Sequence, residues 1–163
     1  MKGEGILKEA GERLNKALTQ ELRDQGHYLT GSLENSINNS FRVETMNRKY
    51  VLRGFALDYS VDLDEGLGPK SRNLPSVDEL RKYFLLRGLS VMEASAAAVL
   101  TARKHKKEGA PTKASSRFSK TGERRRFISR AWSGVEQKID SFIDGQMNKI
   151  FETETAKQKS ERI

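Results

Sequence analysis

Residues 38–57 limit the possible folds of this chain more than any other stretch, because only they carry a clear β-sheet pattern. Phe41, Val43 and Thr45 alternate with polar residues, and after a polar break the run 50–57 is rich in β-branched and aromatic side chains. Such a pattern predicts a half-buried strand paired with a more buried one. A lone hairpin is only marginally stable in water, so the other segments are expected to cover it.

Those other segments show the three- and four-residue spacing of amphipathic helices. Helices are predicted at residues 5–25, 76–87, 90–108 and 129–152, and Gly26 is expected to stop the first of them. A short helical turn is predicted at 30–37, with Thr30 as its cap and with Leu33 and Ile37, one turn apart, buried against the sheet. A serine followed three residues later by glutamate forms a capping box, and Ser76 and Ser90 begin two of these helices in this way. The pattern predicts an α+β fold in which amphipathic helices cover a small antiparallel sheet, with a two-helix insertion and a long C-terminal helix.

The length of 163 residues fits one domain with a modest core. We expect that domain to span residues 1–152, to contain the helical insertion at 76–108 and a basic loop at 109–126, and to end in a frayed polar tail at 153–163. No apolar run approaches the ~20 residues of a membrane span, and the N-terminus lacks the apolar segment of a secretory signal. A protein assembled in the cytoplasm, without a membrane partner, is therefore expected.

Several kinds of chemistry are excluded by composition. The chain has no cysteine, which rules out disulfides and thiolate metal sites, and only two histidines, His27 and His105. The one acidic cluster, at residues 58–65, does not have the spacing of a calcium loop. A divalent-metal nuclease site is one interpretation of that cluster, but solvated or interface carboxylates are favoured. We expect no catalytic residues, no cofactor and no bound metal.

Positive charge is concentrated in one segment. Residues 103–130 contain 11 lysines and arginines against two acidic residues, a net charge of +9, whereas the whole chain carries +8. Such a segment meets nucleic acid, an acidic protein surface or water. Phe118 and Phe127 could stack on bases while neighbouring arginines contact phosphates. A solvated loop, or one ordered against a protein neighbour, is the alternative.

Three short segments, in order along the chain, resemble one family. Residues 30–37 match Thr/Ser-Gly-x-Leu-x-x-Ser-Ile, residues 59–66 align with Tyr-Ala-x-Tyr-Val-Glu-Phe-Gly, and residues 125–131 match Arg-Pro-Phe-Leu-x-Pro-Ala with arginine at both proline positions. The matching residues include Thr30, Gly31, Leu33, Ser36, Ile37, Tyr59, Asp64, Gly66 and Phe127. The chain thereby resembles the neck or tail-completion proteins that join head to tail in long-tailed bacteriophages.

The resemblance implies a structural virion protein without catalytic activity. Members of that family assemble in the host cytoplasm as homo-oligomeric rings, here expected in six or twelve copies, at the neck of the virion. Head-side connector or adaptor proteins and tail-side proteins lie above and below the ring, and packaged DNA passes through it in transient contact. The alternative from another class is a small basic DNA-binding or DNA-processing protein.

The basic loop is expected to mediate assembly, because its polar composition predicts that it cannot order alone. Its candidate contacts to a neighbouring subunit or to DNA are Arg117, Phe118, Lys120, Arg124, Arg125 and Arg126. The candidate partner surface on the next subunit is acidic and consists of Asp62, Asp64 and Glu65. Opposite charges would steer one surface to the other.

Overall fold

Two long helices, rather than the hairpin, organise the fold. The computed structural model describes residues 2–27, 29–47 and 49–161. In chain order the elements are α1 (Lys2–Asp24), α2 (Ser32–Asn39), β1 (Arg42–Met46), β2 (Lys49–Arg53), α3 (Tyr59–Glu65), α4 (Val77–Leu86), α5 (Val91–Glu108), a 3-10 helix (Lys113–Phe118) and α6 (Phe127–Ser160). The expected α+β class, with a small antiparallel sheet and a long C-terminal helix, is confirmed.

Helices α1 and α6 pack along each other and form the most extensive contact in the described chain. Arg130 Nε lies 2.7 Å from Glu21 Oε1, and the Arg13 guanidinium lies 3.9 Å from the centre of the Phe142 ring. Since residue numbers rise along one helix as they fall along the other, the pair is antiparallel. The buried apolar residues of the pair are Ile6, Ala10, Leu22, Phe127, Ala131 and Ile139.

The hairpin forms as expected but lies at the edge of the fold. Strands β1 and β2 are antiparallel, with Val43 opposite Leu52, and Asn47 begins the connection in the left-handed conformation, φ 49°. Helix α1 packs on the hairpin, yet neither strand contains a buried residue. The expected burial of the second strand is therefore wrong, because a two-stranded sheet needs cover on both faces and α1 supplies only one.

Glycines in α1 let the hairpin come close. A Cβ atom at Gly11 would lie 3.0 Å from side-chain atoms of Leu52 and Phe41, whereas one at Gly5 would meet nothing within 4 Å. Gly11 is itself buried. The absence of a side chain at Gly11 therefore determines how closely the hairpin approaches the helix.

Helices α4 and α5 form a helical hairpin with a small core of its own. Leu80, Ala98 and Ala102 are buried together, and Phe84 packs against them. Both predicted capping boxes are present, at Ser76 and Ser90. Small alanines on α5 allow close approach to α4, so this pair can hold together with few large apolar side chains.

Helix α6 is longer than the sequence pattern predicts. It begins at Phe127 and continues through Ser160, so residues 153–160, expected as a frayed tail, are helical. The last two residues of that expected tail, 162–163, lie outside the described residues. The extra turns reach beyond α1, which leaves the distal part of α6 without a helix packed along it.

Candidate assembly surfaces

The three segments that carry the family resemblance meet in one apolar cluster. Leu33 and Ile37 of the first segment and Phe127 of the third are buried with Leu22 of α1, and Leu18 and Leu63 pack against them. Leu63 belongs to the second segment. We name the group Leu18, Leu22, Leu33, Ile37, Leu63 and Phe127 the motif junction.

The packing of the first segment agrees with the expectation in the burial of Leu33 and Ile37, but not in the role of Thr30. Leu33 and Ile37 are buried, but they pack against α1 and the start of α6 rather than against the sheet. Thr30 does not cap α2: the residue before the helix is Gly31, in the left-handed conformation with φ 78°. Thr30 precedes that position, and its hydroxyl oxygen accepts from the N–H of Ser32 over 3.4 Å instead.

Ser36 and Asn15 fix the first segment to its neighbours through hydrogen bonds. The Ser36 hydroxyl donates to the Leu33 carbonyl over 2.8 Å and accepts the N–H of Leu57 over 3.3 Å. The amide of Asn15, which is buried in α1, donates to the Ile37 carbonyl over 2.8 Å. The end of α2 is thereby joined to α1 and to the chain beyond β2.

The second segment forms the short helix α3. Asp64, near the end of α3, accepts hydrogen bonds at the N-terminus of α6. The carbonyl of Asp64 accepts the N–H of Arg126 over 2.7 Å, and its carboxylate accepts the N–H of Ile128 over 2.8 Å. A carboxylate at a helix N-terminus satisfies free N–H groups and matches the helix dipole. The Asp64 carboxylate thus binds the start of α6 in its own chain, and its expected place on a partner-facing acidic surface stays a prediction.

The other members of the second segment are more open. The Asp62 carboxylate accepts from the amide of Asn73 over 3.3 Å, while Glu65 and Tyr59 are exposed. Gly66 has φ 77°, and the guanidinium of Arg125 lies against it where a side chain would stand. In the described part of the chain, no three carboxylate or histidine side chains converge as metal ligands do.

Arg124 docks on the C-terminal end of α1. Its Nε donates to the Gln25 carbonyl over 3.0 Å and its Nη2 to the Gly26 carbonyl over 3.3 Å. The ring nitrogen Nε2 of His27 lies 3.1 Å from the Arg124 carbonyl. Burial, followed by the charge of Arg124, lowers the pKa of His27 from 6.5 to about 4, so the neutral ring donates from Nε2.

Lys120 makes a second connection to the same helix end. Its N–H donates to the Asp24 carbonyl over 2.8 Å, and its ammonium lies 2.7 Å from Asp24 Oδ1. This ion pair lowers the pKa of Asp24. Gln25 is fully buried and donates from Nε2 to the Arg125 carbonyl over 3.0 Å.

Lys120 and Arg124 of the basic loop therefore contact their own chain, while the expectation that the loop orders against a neighbour stays a prediction. The last carbonyls of a helix have no partner within it, and cations are favoured there. The end of α1 offers such carbonyls, and Gly26 turns the chain so that they remain open. Sequence reasoning recognised Gly26 as the stop of α1 but missed Gln25 and His27 as the residues that receive the loop.

The remaining contact candidates stay exposed on the surface. Phe118 is 62% exposed, and the Arg117 guanidinium lies 4.8 Å from the centre of its ring. Arg125 and Arg126 are also exposed. In the predicted contact group, Arg124 thus docks within the chain, Lys120 pairs with Asp24 while its side chain stays 75% exposed, and the other four residues are open to a partner.

The end of α5 presents a further cationic surface that consists of Arg103, Lys104, Lys106 and Lys107. All four are exposed, and none has a carboxylate within 4 Å among residues 2–27, 29–47 and 49–161. His105 lies on the other side of the helix, where burial lowers its pKa. Cations near a helix C-terminus are stabilised by the helix dipole. Four cations without a carboxylate partner in the described chain leave positive charge at this end that a binding partner can meet.

No helix within the described ranges is long and apolar enough to cross a bilayer. No family model matches this chain, and comparison with curated proteins and with solved structures likewise finds no match.

Proposed function

We propose that this chain is a structural protein of a bacteriophage neck, and that it forms a homo-oligomeric ring which joins the head connector to the tail and lets DNA pass. The observation that carries the proposal is the motif junction. Leu33, Leu63 and Phe127 come from three segments that are far apart in the sequence, and they pack in one cluster. Three segments that match the family by chance are not expected to pack together, whereas segments that define a fold pack around a shared core.

Exposed apolar residues support assembly. Met92, Leu100 and Phe151 are 83%, 63% and 74% exposed, and Leu86 is similarly open. Single exposed apolar side chains are ordinary, but several large ones, here on α4, α5 and α6, are typical of protein–protein contact surfaces. If the apolar contacts of the subunit are completed only in a ring, these side chains are exposed to solvent in the isolated subunit.

Ring function requires no catalysis, and we propose none. Incubation with supercoiled DNA and magnesium or manganese is expected to leave the DNA intact. Asp62 belongs to the acidic cluster at residues 58–65, and its carboxylate accepts one hydrogen bond, from the amide of Asn73. Cleavage that disappears in Asp62→Ala would contradict the proposal.

Sedimentation velocity tests self-assembly in solution. The proposal predicts one discrete species larger than a dimer at micromolar concentration and physiological salt. A purified protein that stays monomeric over the accessible concentration range would contradict it. Since a ring holds DNA only loosely, weak and salt-screened DNA binding is also expected.

A second candidate function is a small basic DNA-binding protein, favoured by the unpaired cations at the end of α5. That function predicts tight binding by monomers or dimers, with an affinity that falls steeply as salt is raised. A fluorescence-anisotropy titration of duplex DNA at several salt concentrations, combined with the mass measurement, distinguishes the two.

A further inference from the structure

The side of α5 that faces away from α4 is apolar at its start and cationic at its end. The helix buries Ala94, Ala98 and Ala102. The opposite side carries exposed residues at helical spacing, and we name it the α5 outer face. It consists of Met92, Ala96, Val99, Leu100, Arg103 and Lys107.

The side of α6 that faces away from α1 has the complementary order. Three exposed carboxylates follow one another at single-turn spacing, and two exposed apolar residues come after them. We name this the α6 outer face, and it consists of Glu136, Asp140, Asp144, Met147 and Phe151. Along the chain, α5 runs from apolar to cationic, whereas α6 runs from acidic to apolar.

We propose that the α6 outer face of one subunit docks antiparallel on the α5 outer face of a second copy, as the contact that builds the ring. This inference rests on the ring function proposed above. In one register, Arg103 lies opposite Asp144 and Lys107 lies opposite Asp140, because the four-residue spacing is the same on both helices. The rise of 1.5 Å per residue keeps both ion pairs aligned.

The same register pairs the apolar residues. Leu100 lies opposite Met147, and Ala96 lies opposite Phe151, so a small side chain leaves room for a large one. A parallel arrangement would instead set the cations against the apolar end of α6 and the carboxylates against the apolar start of α5. Charge and apolar order thus select the antiparallel orientation.

A second copy is the occupant because the subunit itself leaves both faces open. Within residues 2–27, 29–47 and 49–161, no opposite charge lies within 4 Å of Arg103, Lys107, Asp140 or Asp144. The two faces are different, so the contact is heterologous, and repeating it closes a ring or continues a filament. Each subunit then uses its α5 face for one neighbour and its α6 face for the other.

Charge reversal tests the pairing. The variant R103E with K107E places like charges opposite Asp140 and Asp144, and D140K with D144K does the same from the other side. Each variant alone should associate about 100-fold more weakly than the parent, because like charges across an interface cost several kcal/mol. An equimolar mixture should assemble again, since each mixed contact then pairs opposite charges.

Matched controls separate this pairing from a general effect of charge. The variant K70E with R72E makes the same charge change in the exposed loop before α4, away from the α5 outer face and from the candidate contact residues, and should assemble like the parent. Circular dichroism should show unchanged helix content in all variants. The proposal is overturned if the two reversed variants assemble normally, or if their mixture stays dissociated.

Cross-linking provides a readout that charge does not affect. The chain has no cysteine, so L100C with M147C is expected to form covalent oligomers on mild oxidation, whereas L100C with S133C is not. Equal cross-linking in both would overturn the register.

The outcomes separate this inference from the proposed function. If the parent assembles but these tests fail, the inference is wrong and the ring proposal stands; if the parent never self-associates, the proposed function itself fails. Loss of DNA affinity in R103E with K107E, with assembly intact, would assign those cations to DNA and overturn the inference.

Discussion

Acid should weaken the contact between the end of α1 and the loop that precedes α6, because His27 is held there as a neutral ring. Its Nε2 lies 3.1 Å from the Arg124 carbonyl and donates to it, while its Nδ1 lies 3.4 Å from Arg124 Nη2 and accepts from it. A second proton would have to be placed on Nδ1, facing the guanidinium. Protonation therefore requires the contact to open.

The size and direction of the effect follow from the pKa of His27. Burial, with a smaller contribution from the Arg124 charge, lowers this pKa from 6.5 to about 4 in the folded protein. Between those two values the unfolded chain binds more protons than the folded one, so the free energy of unfolding falls as the pH falls. The stabilisation is complete above pH 6.5 and is lost by about pH 4, a difference of about 3 kcal/mol at ~1.4 kcal/mol per pH unit.

Urea unfolding at a series of pH values, at concentrations where the subunit is monomeric, measures this loss. His27→Gln keeps one amide donor and one acceptor but cannot titrate, so its unfolding free energy should fall by about 3 kcal/mol less than that of the parent between pH 6.5 and 4. His105→Gln is the matched control; burial also lowers the pKa of His105, but no guanidinium contact is involved, so its effect should be smaller. Identical pH profiles for the parent and His27→Gln would refute this reasoning.

Three further predictions concern the packing, and each is tested by urea or thermal unfolding. Leu33→Ala should cost about 2–5 kcal/mol, because it empties part of the motif junction; parent-like stability would contradict that placement. Gly5→Ala should raise the free energy of unfolding by about 1 kcal/mol, whereas Gly11→Ala should lower it, because the new methyl group would crowd the hairpin. Equal effects of the two substitutions would contradict the close approach of the hairpin to α1. Asp64→Ala should cost about 1 kcal/mol as a lost cap of α6, while the exposed control Glu65→Ala should cost little.

Local elements were predictable because their signals lie within a few residues. The capping boxes at Ser76 and Ser90, the stop of α1 at Gly26 and the hairpin pairing all follow from short patterns. The dominant contact, α1 against α6, was not predictable, since it joins residues more than 100 positions apart. Periodicity shows that a helix has an apolar side but not which element covers it.

The same limit applies to the candidate contact residues. Burial of Leu33 and Ile37 follows from their one-turn spacing, but their neighbours in the cluster come from distant segments. Composition suggested a loop that cannot order alone, yet Arg124 finds backbone carbonyls at the end of α1. The free backbone carbonyls and N–H groups at helix ends leave no pattern in the sequence. The partners of Arg124 and of Asp64 are such groups, so only the folded chain shows them.

Negative-stain electron microscopy of the purified protein at physiological salt would show the ring itself. The proposed function predicts closed rings of a single copy number, with a central channel wide enough for duplex DNA. The R103E and K107E variant should appear as separate subunits on the same grids, and its mixture with the D140K and D144K variant should again give rings. Fields of monomers or dimers for the parent protein, or open filaments without closed rings, would contradict the assignment to a phage neck.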